Sequence, residues 1–400
     1  MAKKTKKWTK PRHTFITKVA GAIYKPVVKS KYHVNVTPYK DRKEQCLILF
    51  NHQTAYDQFF VSLCFKKPIY FVASEDLFSM GFVSKLLNYL VAPIPIKKQT
   101  TDPRAVMNCI KVAKEGGSIA LAPEGNRTYS GKTEYINPAI VSLIKHLKLP
   151  VCFFRIEGGY GIHPRWSDKT RKGQMNSYVS KTLRYDDYKD LSNQEFYEII
   201  KKELYVDETE ILGEYHSKNL AEGLERAVYV CPYCGFSHFI TLKDVICCEK
   251  CKKTVRYMPN KTLKPIQGEF PFKYFKDWYE YQSVFVRKFR PDQYGDNAIF
   301  SDTANFYRVI PYKCKKLISS NAKVSLFKDK IIVNEHVFSF DELSAVTVLG
   351  KNKLNLYYKD EIYQLKPGAE FCALKYVNLF YRYKNFIKGD QDGNVEFLGL

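Results

Sequence analysis

Two short polar blocks in this sequence carry residue types that can transfer a proton or hold an anion. Residues 51–57 read Asn-His-Gln-Thr-Ala-Tyr-Asp and follow an apolar run at 46–50. Residues 123–128 read Pro-Glu-Gly-Asn-Arg-Thr and follow a second apolar run at 119–122. Short, continuous apolar runs are typical of buried strands. Because an open α/β sheet presents the residues at its strand ends to ligands, both blocks are candidates for a functional site.

The spacing of His52 and Asp57 constrains the backbone between them. Residues five apart in a continuous helix lie about 140° apart around the axis, at roughly 100° per residue. The two side chains meet only if the chain is irregular near His52 and Asp57 lies in the first turn of the following helix. The carboxylate then holds one imidazole nitrogen while the other faces a substrate hydroxyl. Taken alone, such a pair can also be without a catalytic role.

Together the two blocks resemble motifs of the glycerolipid acyltransferase family, which includes the 1-acylglycerol-3-phosphate acyltransferases. The first family motif is a His, four residues and an Asp, preceded by Asn. The third is Pro-Glu-Gly-Thr-Arg-Ser, which is matched here with Asn126 and Thr128 as substitutions. The order of the motifs and the gap of roughly 70 residues between them also fit, and the resemblance covers roughly residues 15–205.

The resemblance implies that His52 is a general base and that Asp57 orients its ring. It also implies a set of substrate-binding residues in the later motifs: Lys97, Glu124, Gly125, Asn126 and Arg127. Arg127 with Lys97 would hold the phosphate of lysophosphatidic acid, while the alternative for Arg127 is a surface ion pair. The family usually has Arg where Lys97 stands, and Lys supplies the charge without the bidentate fork. The implied donor is acyl-CoA or acyl-carrier protein, and the implied pathway is phospholipid biosynthesis.

Two later segments depart from the family pattern. Residues 136–139 are Ile-Asn-Pro-Ala, where the family tends to have a Lys-Gly step. Residues 150–154 are Pro-Val-Cys-Phe-Phe, where the family usually has Pro-Val-Val-Pro-Val. These departures leave the acceptor open, so glycerol 3-phosphate and another lysophospholipid are alternatives to 1-acylglycerol-3-phosphate.

Four cysteines form two Cys-x-x-Cys pairs that are separated by thirteen residues: Cys231, Cys234, Cys248 and Cys251. Residues 236–247 between the pairs can form a hairpin, and two such turns offer four thiolates in a tetrahedron, as in a zinc ribbon. A site with four thiolates has no open coordination position, so the zinc is expected to be structural. Iron or vacant thiols are alternatives, Cys247 is left over, and His238 is a weaker candidate ligand.

The sequence therefore predicts an α/β protein in several parts. An acyltransferase-type mixed sheet with helices comes first, followed by a small zinc ribbon and a C-terminal antiparallel β-barrel-like domain with a closing helix. The six strands expected in the last domain are 324–327, 331–333, 337–340, 345–349, 354–358 and 362–365. With a helix that ends near residue 386, they resemble a pleckstrin-homology-like barrel. The expected boundaries are a mobile basic arm at 1–13, the acyltransferase domain at 14–210, the zinc ribbon at 226–260, an aromatic-rich connection at 261–320 and the barrel at 321–400.

The net charge of +23 calls for an acidic partner, either nucleic acid or an anionic membrane surface. Nucleic acid is not the expected partner, because no base-reading motif is recognisable. A non-catalytic zinc-ribbon protein that binds nucleic acid or protein is nevertheless the alternative function. No apolar run reaches 18 residues, and the basic N-terminus is not followed by an apolar core, so neither a membrane-spanning helix nor a secretory signal is expected. Eleven cysteines in this pattern indicate a reducing, cytoplasmic setting.

Two predicted helices carry apolar faces that fit either a domain core or a membrane surface. Apolar residues recur at helical spacing over 15–23, with lysines beside them, and Pro26 is expected to end that helix. Residues 82–91 have an apolar face that is assigned to the core by default. In the resembling family this neighbourhood faces the membrane. The combined expectation is a peripheral protein on the inner face of a membrane.

Overall fold

The structure is a computed structural model that describes residues 7–41, 43–96, 102–310, 313–368 and 370–397. The described chain forms two compact units. The first contains the chain up to Ile162 together with Lys172–Gly213, and the second contains His163–Arg171 and the chain from Glu214 onward.

The first unit is a mixed sheet with helices, as predicted. Its helices are α1 (Pro11–Tyr32), α2 (Asp57–Cys64), α3 (Phe82–Leu90), α4 (Pro103–Lys114), α5 (Ile140–Leu147), α6 (Gly159–Ile162), α7 (Tyr185–Tyr188) and α8 (Asn193–Leu204), with a 3₁₀ turn at Glu75–Ser79. Its strands are β1 (Val34–Val36), β2 (Leu47–Phe50), β3 (Ile69–Ser74), β4 (Ile94–Ile96), β5 (Ser118–Leu121), β6 (Val151–Glu157) and β7 (Met175–Leu183). The strand order is β1-β7-β6-β2-β5-β3-β4, in which β6 and β7 are antiparallel and the other neighbours are parallel.

The central strands explain the apolar runs in the sequence. Every residue of β2 and of β5 is buried, as expected for parallel strands that are covered on both faces. Alternate residues such as Leu47 and Leu49 join one apolar core with α4, α5 and α8. Helices α1 and α2 pack against β1, and α2 also packs against β7.

Helix α1 differs from the prediction because it passes through Pro26 and ends at Tyr32. A proline inside a helix removes one backbone hydrogen bond. Beyond the proline, Val28 and Tyr32 are buried, and this packing keeps the last turns helical. The segment before α1 is also less free than a mobile arm, since the Trp8 indole Nε1 donates to the Ala92 carbonyl at 2.9 Å. Residues 1–6 of the expected arm lie outside the described residues.

Helices α1 and α3 both present apolar side chains away from the core. Phe15 is 69% exposed and Phe82 is 78% exposed, so the default assignment of the 82–91 face to the core is wrong. The other exposed apolar residues of these two helices are Val19, Ile23, Val27, Val83, Leu86 and Tyr89. None of the described helices is both long enough and apolar enough to cross a membrane.

In the residues that the structure describes, the second unit contains three antiparallel sheets. Its strands are β8 (Val230–Cys231), β9 (Gly235–Phe236), β10 (Phe239–Leu242), β11 (Val245–Cys248), β12 (Thr254–Tyr257), β13 (Leu263–Pro265), β14 (Phe300–Ile310), β15 (Cys314–Leu326), β16 (Lys330–Val333), β17 (His336–Ser339), β18 (Leu343–Leu349), β19 (Lys353–Tyr358) and β20 (Glu361–Pro367). Its helices are α9 (Phe275–Arg287) and α10 (Ala373–Ile387), with 3₁₀ turns at Leu224–Arg226 and Pro291–Gln293. Strands β8 and β9 form one pair, and β10 to β13 form a four-stranded sheet in chain order.

The C-terminal sheet has the order β17-β16-β15-β14-β20-β19-β18, which leaves β17 and β18 as edges within the described residues. It is therefore a curled half-barrel, where the sequence had suggested a barrel-like form. Helix α10 packs against it, with the Phe340 and Phe380 ring centroids 5.4 Å apart. The sheet begins at Phe300, before the first expected strand. Only the end of the hairpin β14–β15 overlaps an expected strand, 324–327. The rest was not expected, because bulges interrupt its pairing between Ala304 and Tyr307 and so disturb the alternation of buried and exposed residues.

Candidate active site and four-cysteine cluster

The two polar blocks lie side by side at one edge of the first sheet. Strands β2 and β5 are parallel neighbours, with Leu49 opposite Leu121, so the blocks that follow them emerge together. The Thr128 N–H donates to the His52 carbonyl oxygen at 3.1 Å. The His52 N–H in turn donates to Glu124 Oε1 at 2.8 Å. The backbone of His52 is therefore held from both sides by the second block.

The His52 and Asp57 side chains form the predicted pair. The distance from His52 Nδ1 to Asp57 Oδ2 is 2.7 Å, and Asp57 is the first residue of α2. The buried Asp57 carboxylate also accepts hydrogen bonds from the Gln53 N–H at 2.8 Å, the Thr54 N–H at 2.9 Å and the Thr54 hydroxyl at 2.7 Å. An ionised carboxylate only accepts, so with Asp57 ionised this bond places the His52 proton on Nδ1 and the lone pair on Nε2. The His52 side chain is 26% exposed, so substrate can reach it.

Glu124 is buried next to this pair and accepts two backbone hydrogen bonds. Its Oε1 accepts the His52 N–H, and its Oε2 accepts the Glu134 N–H at 2.8 Å. Burial raises the pKa of Glu124 to about 8; the charges of Glu134 and Asp57 act in the same direction, while the two backbone hydrogen bonds act against it. Glu124 thus fixes the geometry of the loop around His52.

Below pH 4.5, we expect Glu124→Gln to lower the free energy of unfolding by about 1–3 kcal/mol, because the new amide group faces a buried N–H donor and leaves it unpaired. The raised pKa favours the protonated carboxyl in the folded state. The advantage of the wild type over the variant is therefore greatest below pH 4.5 and shrinks as the pH rises towards about 8. Urea unfolding of both proteins across this range measures the difference. The exposed Glu198→Gln is the control, and a difference that grows with pH would contradict the assignment.

The remaining residues of the second block are placed in different environments. Gly125 has a φ of +68°, in the left-handed region that favours glycine, and its N–H donates to the Ala122 carbonyl oxygen at 3.0 Å. Asn126 is buried and Arg127 is half-buried. Lys97 lies outside the described residues.

The four cysteines of the two Cys-x-x-Cys pairs come together as predicted. Their sulfur atoms all lie within 4.8 Å of one another; the distance from Cys231 to Cys251 is 3.6 Å, and that from Cys234 to Cys248 is 3.5 Å. A tetrahedron with metal–sulfur bonds of about 2.3 Å has sulfur–sulfur distances of about 3.8 Å. The cluster can therefore hold a metal ion.

Backbone N–H groups face two sulfur atoms of this cluster. Burial raises the pKa of Cys231 to about 11 in spite of them, whereas the pKa of Cys248 is lowered to about 7 against the effect of burial. The N–H groups of Tyr233 and Cys234 donate to the Cys231 sulfur. Those of Lys250 and Cys251 donate to the Cys248 sulfur. The hairpin β10–β11 spans the stretch between the two pairs, as the sequence predicts.

The two spare candidate ligands lie outside the cluster. His238 Nε2 is 3.4 Å from Asp302 Oδ1 and 3.3 Å from Lys375 Nζ. The Cys247 thiol contacts the carbonyl oxygens of Cys248 and Lys252. The weaker expectation of a histidine ligand is therefore not supported, because the His238 ring is engaged with Asp302 and Lys375.

The region that contains both polar blocks matches a known protein family. Residues 31–157 match the family model described as Acyltransferase. This match agrees with the expected enzyme class. No curated protein matches the chain.

Two solved structures are similar to parts of the chain. The 1-acyl-sn-glycerophosphate (LPA) acyltransferase, PlsC, from Thermotoga maritima is 20% identical, covers 48% of this chain and 78% of its own, and has a TM-score of 0.41. The Vps36 N-terminal PH domain is 20% identical, covers 24% of this chain and 83% of its own, and has a TM-score of 0.20.

Three polar residues of the first block have structural roles that sequence reasoning missed. The Asn51 amide bridges β2 and β6, since it donates to the Ile156 carbonyl oxygen and accepts from the Ile156 N–H, both at 2.8 Å. Gln53 Oε1 accepts the Tyr160 N–H at 3.1 Å, and Thr54 holds Asp57. The position of Thr54 three residues before a helix-starting Asp was an available signal, because threonine at a helix start often bonds locally. The partners of Asn51 and Gln53 lie more than a hundred residues away along the chain and left no local signal.

Proposed function

We propose that the protein transfers a fatty acyl group from an acyl thioester to the free hydroxyl of 1-acylglycerol-3-phosphate, which gives phosphatidic acid. The observation that carries this proposal is the bond of 2.7 Å between His52 Nδ1 and Asp57 Oδ2 inside the region that matches the acyltransferase family. That bond orients an accessible imidazole, which is the requirement for activating a hydroxyl.

The proposed reaction needs no protein nucleophile. His52 Nε2 takes the proton of the acceptor hydroxyl as the oxygen attacks the thioester carbonyl carbon, and a new C–O bond forms. The C–S bond then breaks, and the thiolate leaves with the electron pair and takes the proton back from His52. Asp57 stabilises the imidazolium between these steps. A thiolate is a good leaving group, so one His–Asp pair serves both proton transfers.

The second block is proposed to bind the acceptor. Arg127, with Lys97, would hold the phosphate, because a guanidinium can donate two parallel hydrogen bonds to phosphate oxygens. Glu124, Gly125 and Asn126 would shape the turn that presents Arg127. This division agrees with the burial of Glu124 and Asn126 and with the partial exposure of Arg127.

The exposed apolar faces of α1 and α3 support a peripheral attachment to an anionic membrane surface, at the inner face of a membrane in the cytoplasm. Basic residues accompany the α1 face, since Lys18 and Lys25 lie in the same helix and are exposed. An amphipathic helix with lysines binds the interface through buried apolar area and attraction to anionic lipid. The acceptor is itself an anionic lipid, so this attachment would bring enzyme and substrate together.

We also propose that the four-cysteine cluster holds a structural zinc ion. Cys231, Cys234, Cys248 and Cys251 would supply all four ligands, which leaves no position for a substrate. The zinc would fold the ribbon over residues 226–260 and take no part in acyl transfer.

Release of free thiol tests the proposed reaction. The purified chain is mixed with acyl-CoA or acyl-carrier protein and with vesicles that contain lysophosphatidic acid, in a neutral or an anionic lipid background. We expect acceptor-dependent release that is faster on anionic vesicles. Glycerol 3-phosphate and a second lysophospholipid run in parallel, and release with only one of them would replace the proposed acceptor. A folded protein that releases thiol with none of the acceptors would refute the function.

A further inference from the structure

We propose that the C-terminal end of α1 forms part of the phosphate site, with Lys31 binding the acceptor phosphate together with Arg127. In this arrangement Tyr32 and Tyr56 are positioning residues that hold the Lys31 ammonium group near the His52–Asp57 pair. The inference rests on the proposed acyltransferase function and adds a residue that lies outside the motifs shared with the resembling family.

The end of α1 packs directly on the catalytic loop. Tyr32, the last residue of α1, is 1% exposed. Its ring lies 5.3 Å from the Tyr56 ring and 5.5 Å from the Phe60 ring, measured between centroids. Tyr56 immediately precedes Asp57, and its N–H donates to the Thr54 hydroxyl at 3.0 Å. Because Thr54 also holds Asp57, the end of α1 and the catalytic carboxylate belong to one packed cluster.

Lys31 lies over the two aromatic rings of this cluster. Its Nζ is 5.4 Å from the Tyr56 ring centroid and 5.6 Å from the Tyr32 ring centroid. These distances fit a cation–π contact with both rings. Lys31 is also exposed, so the ammonium group remains accessible to a ligand. A long side chain that is already restrained loses less entropy when it binds, which is the advantage of preorganisation.

The Tyr32 hydroxyl is influenced by charges from both polar blocks, those of Asp57 and Arg127. Burial raises the pKa of Tyr32, and the neighbouring Tyr56 and the negative charge of Asp57 raise it further, while the positive charge of Arg127 opposes them. The Tyr32 hydroxyl is therefore within electrostatic reach of the Asp57 carboxylate and of the candidate phosphate-binding arginine, Arg127. The positive charge of Arg127 therefore acts on the same aromatic cluster that Lys31 contacts. A phosphate monoester carries nearly two negative charges, and two cations match that charge better than one.

The simpler explanation of Lys31 is that a basic residue in the last helical turn interacts favourably with the helix dipole. Lys29 provides the matched control because it lies in the same last turn with the same charge. Two residues of separation place the two side chains roughly 200° apart around the helix axis. Both therefore serve the dipole, but of these two described lysines only Lys31 lies over the aromatic pair.

The test compares Lys31→Ala, Lys29→Ala and Lys31→Arg in the full chain. We expect Lys31→Ala to raise the KM for lysophosphatidic acid about 10-fold, as the loss of one hydrogen bond to a charged group predicts, while kcat and the KM for acyl-CoA stay within about 2-fold. Lys29→Ala should leave all three unchanged, and Lys31→Arg should restore the wild-type KM. Monoacylglycerol is an acceptor without phosphate. Where the wild type transfers an acyl group to it, the three variants should do so at the same rate as the wild type.

Calorimetric titration with glycerol 3-phosphate provides a readout that does not depend on turnover. Lys31→Ala should weaken this binding about 10-fold, while Lys29→Ala should not. Equal behaviour of the two alanine variants in both assays would overturn the inference, and so would an increase confined to the KM for acyl-CoA. If the wild type binds glycerol 3-phosphate through Lys31 but transfers no acyl group, the proposed reaction fails while the phosphate site stands.

Discussion

Replacing His52 by alanine is expected to lower kcat by about 10²–10⁴-fold, which is the usual contribution of a positioned general base. The variant lacks the only group that we propose to accept the hydroxyl proton. Folding should be little affected, because the bonds that join His52 to Glu124 and Thr128 use its backbone N–H and carbonyl. The partly exposed side chain leaves a shallow gap rather than a buried cavity. Turnover is measured as acceptor-dependent thiol release, and folding as the midpoint of thermal unfolding.

His146→Ala is the matched control for this experiment. His146 lies in the last turn of α5, in the same unit, and is exposed. Its replacement should change neither turnover nor the unfolding midpoint. If His52→Ala kept wild-type turnover, His52 and Asp57 would be a structural pair, and the proposed mechanism would be wrong.

The His52–Asp57 pair was predictable because its determinants are local. The spacing of five residues excludes a continuous helix between them, and the structure indeed starts α2 at Asp57. Gln53 and Thr54 then donate their N–H groups to the same carboxylate. A pattern confined to seven residues thus carries most of the geometry.

The contacts that hold the loop around His52 and Asp57 in place were less predictable, because they join segments that are distant along the chain. Glu124 was assigned to substrate binding, and nothing in the sequence identified the N–H groups of His52 and Glu134 as its partners. The approach of Tyr32 to Tyr56 likewise depends on α1 continuing past Pro26. A proline usually ends a helix in sequence reasoning, and here the burial of Tyr32 outweighs that local preference.

The fold shows the same division between local and distant determinants. The expected strands after residue 330 are present because their apolar runs are short and are separated by turns. The preceding hairpin β14–β15 has a bulged register and an exposed far end, with Leu317 and Ile318 on its surface. Period-two alternation fails at such positions, so the sheet begins earlier than the sequence indicated.

The second large effect is expected at the four-cysteine cluster. Cys248→Ser should abolish the binding of one equivalent of zinc and unfold the ribbon, because structural zinc supplies roughly 10–16 kcal/mol of binding free energy in small zinc domains. Cys248 is one of the four candidate ligands, and its sulfur lies 3.5 Å from Cys234 Sγ and 3.2 Å from the Ser237 hydroxyl. Metal analysis measures the stoichiometry and separates zinc from iron. Hydrogen exchange over residues 230–257 measures the local unfolding.

Cys247→Ser provides a control at the neighbouring position, because the Cys247 thiol lies outside the cluster. This variant should bind zinc and protect the ribbon amides like the wild type. Equal loss of metal in both variants would point to a general effect of cysteine loss, and full retention in Cys248→Ser would refute the four-thiolate site. Turnover adds a further comparison between the two proposed functions. An acyltransferase loses its reaction with His52→Ala and keeps part of it with Cys248→Ser, whereas a ribbon-centred binding protein loses its function only with Cys248→Ser.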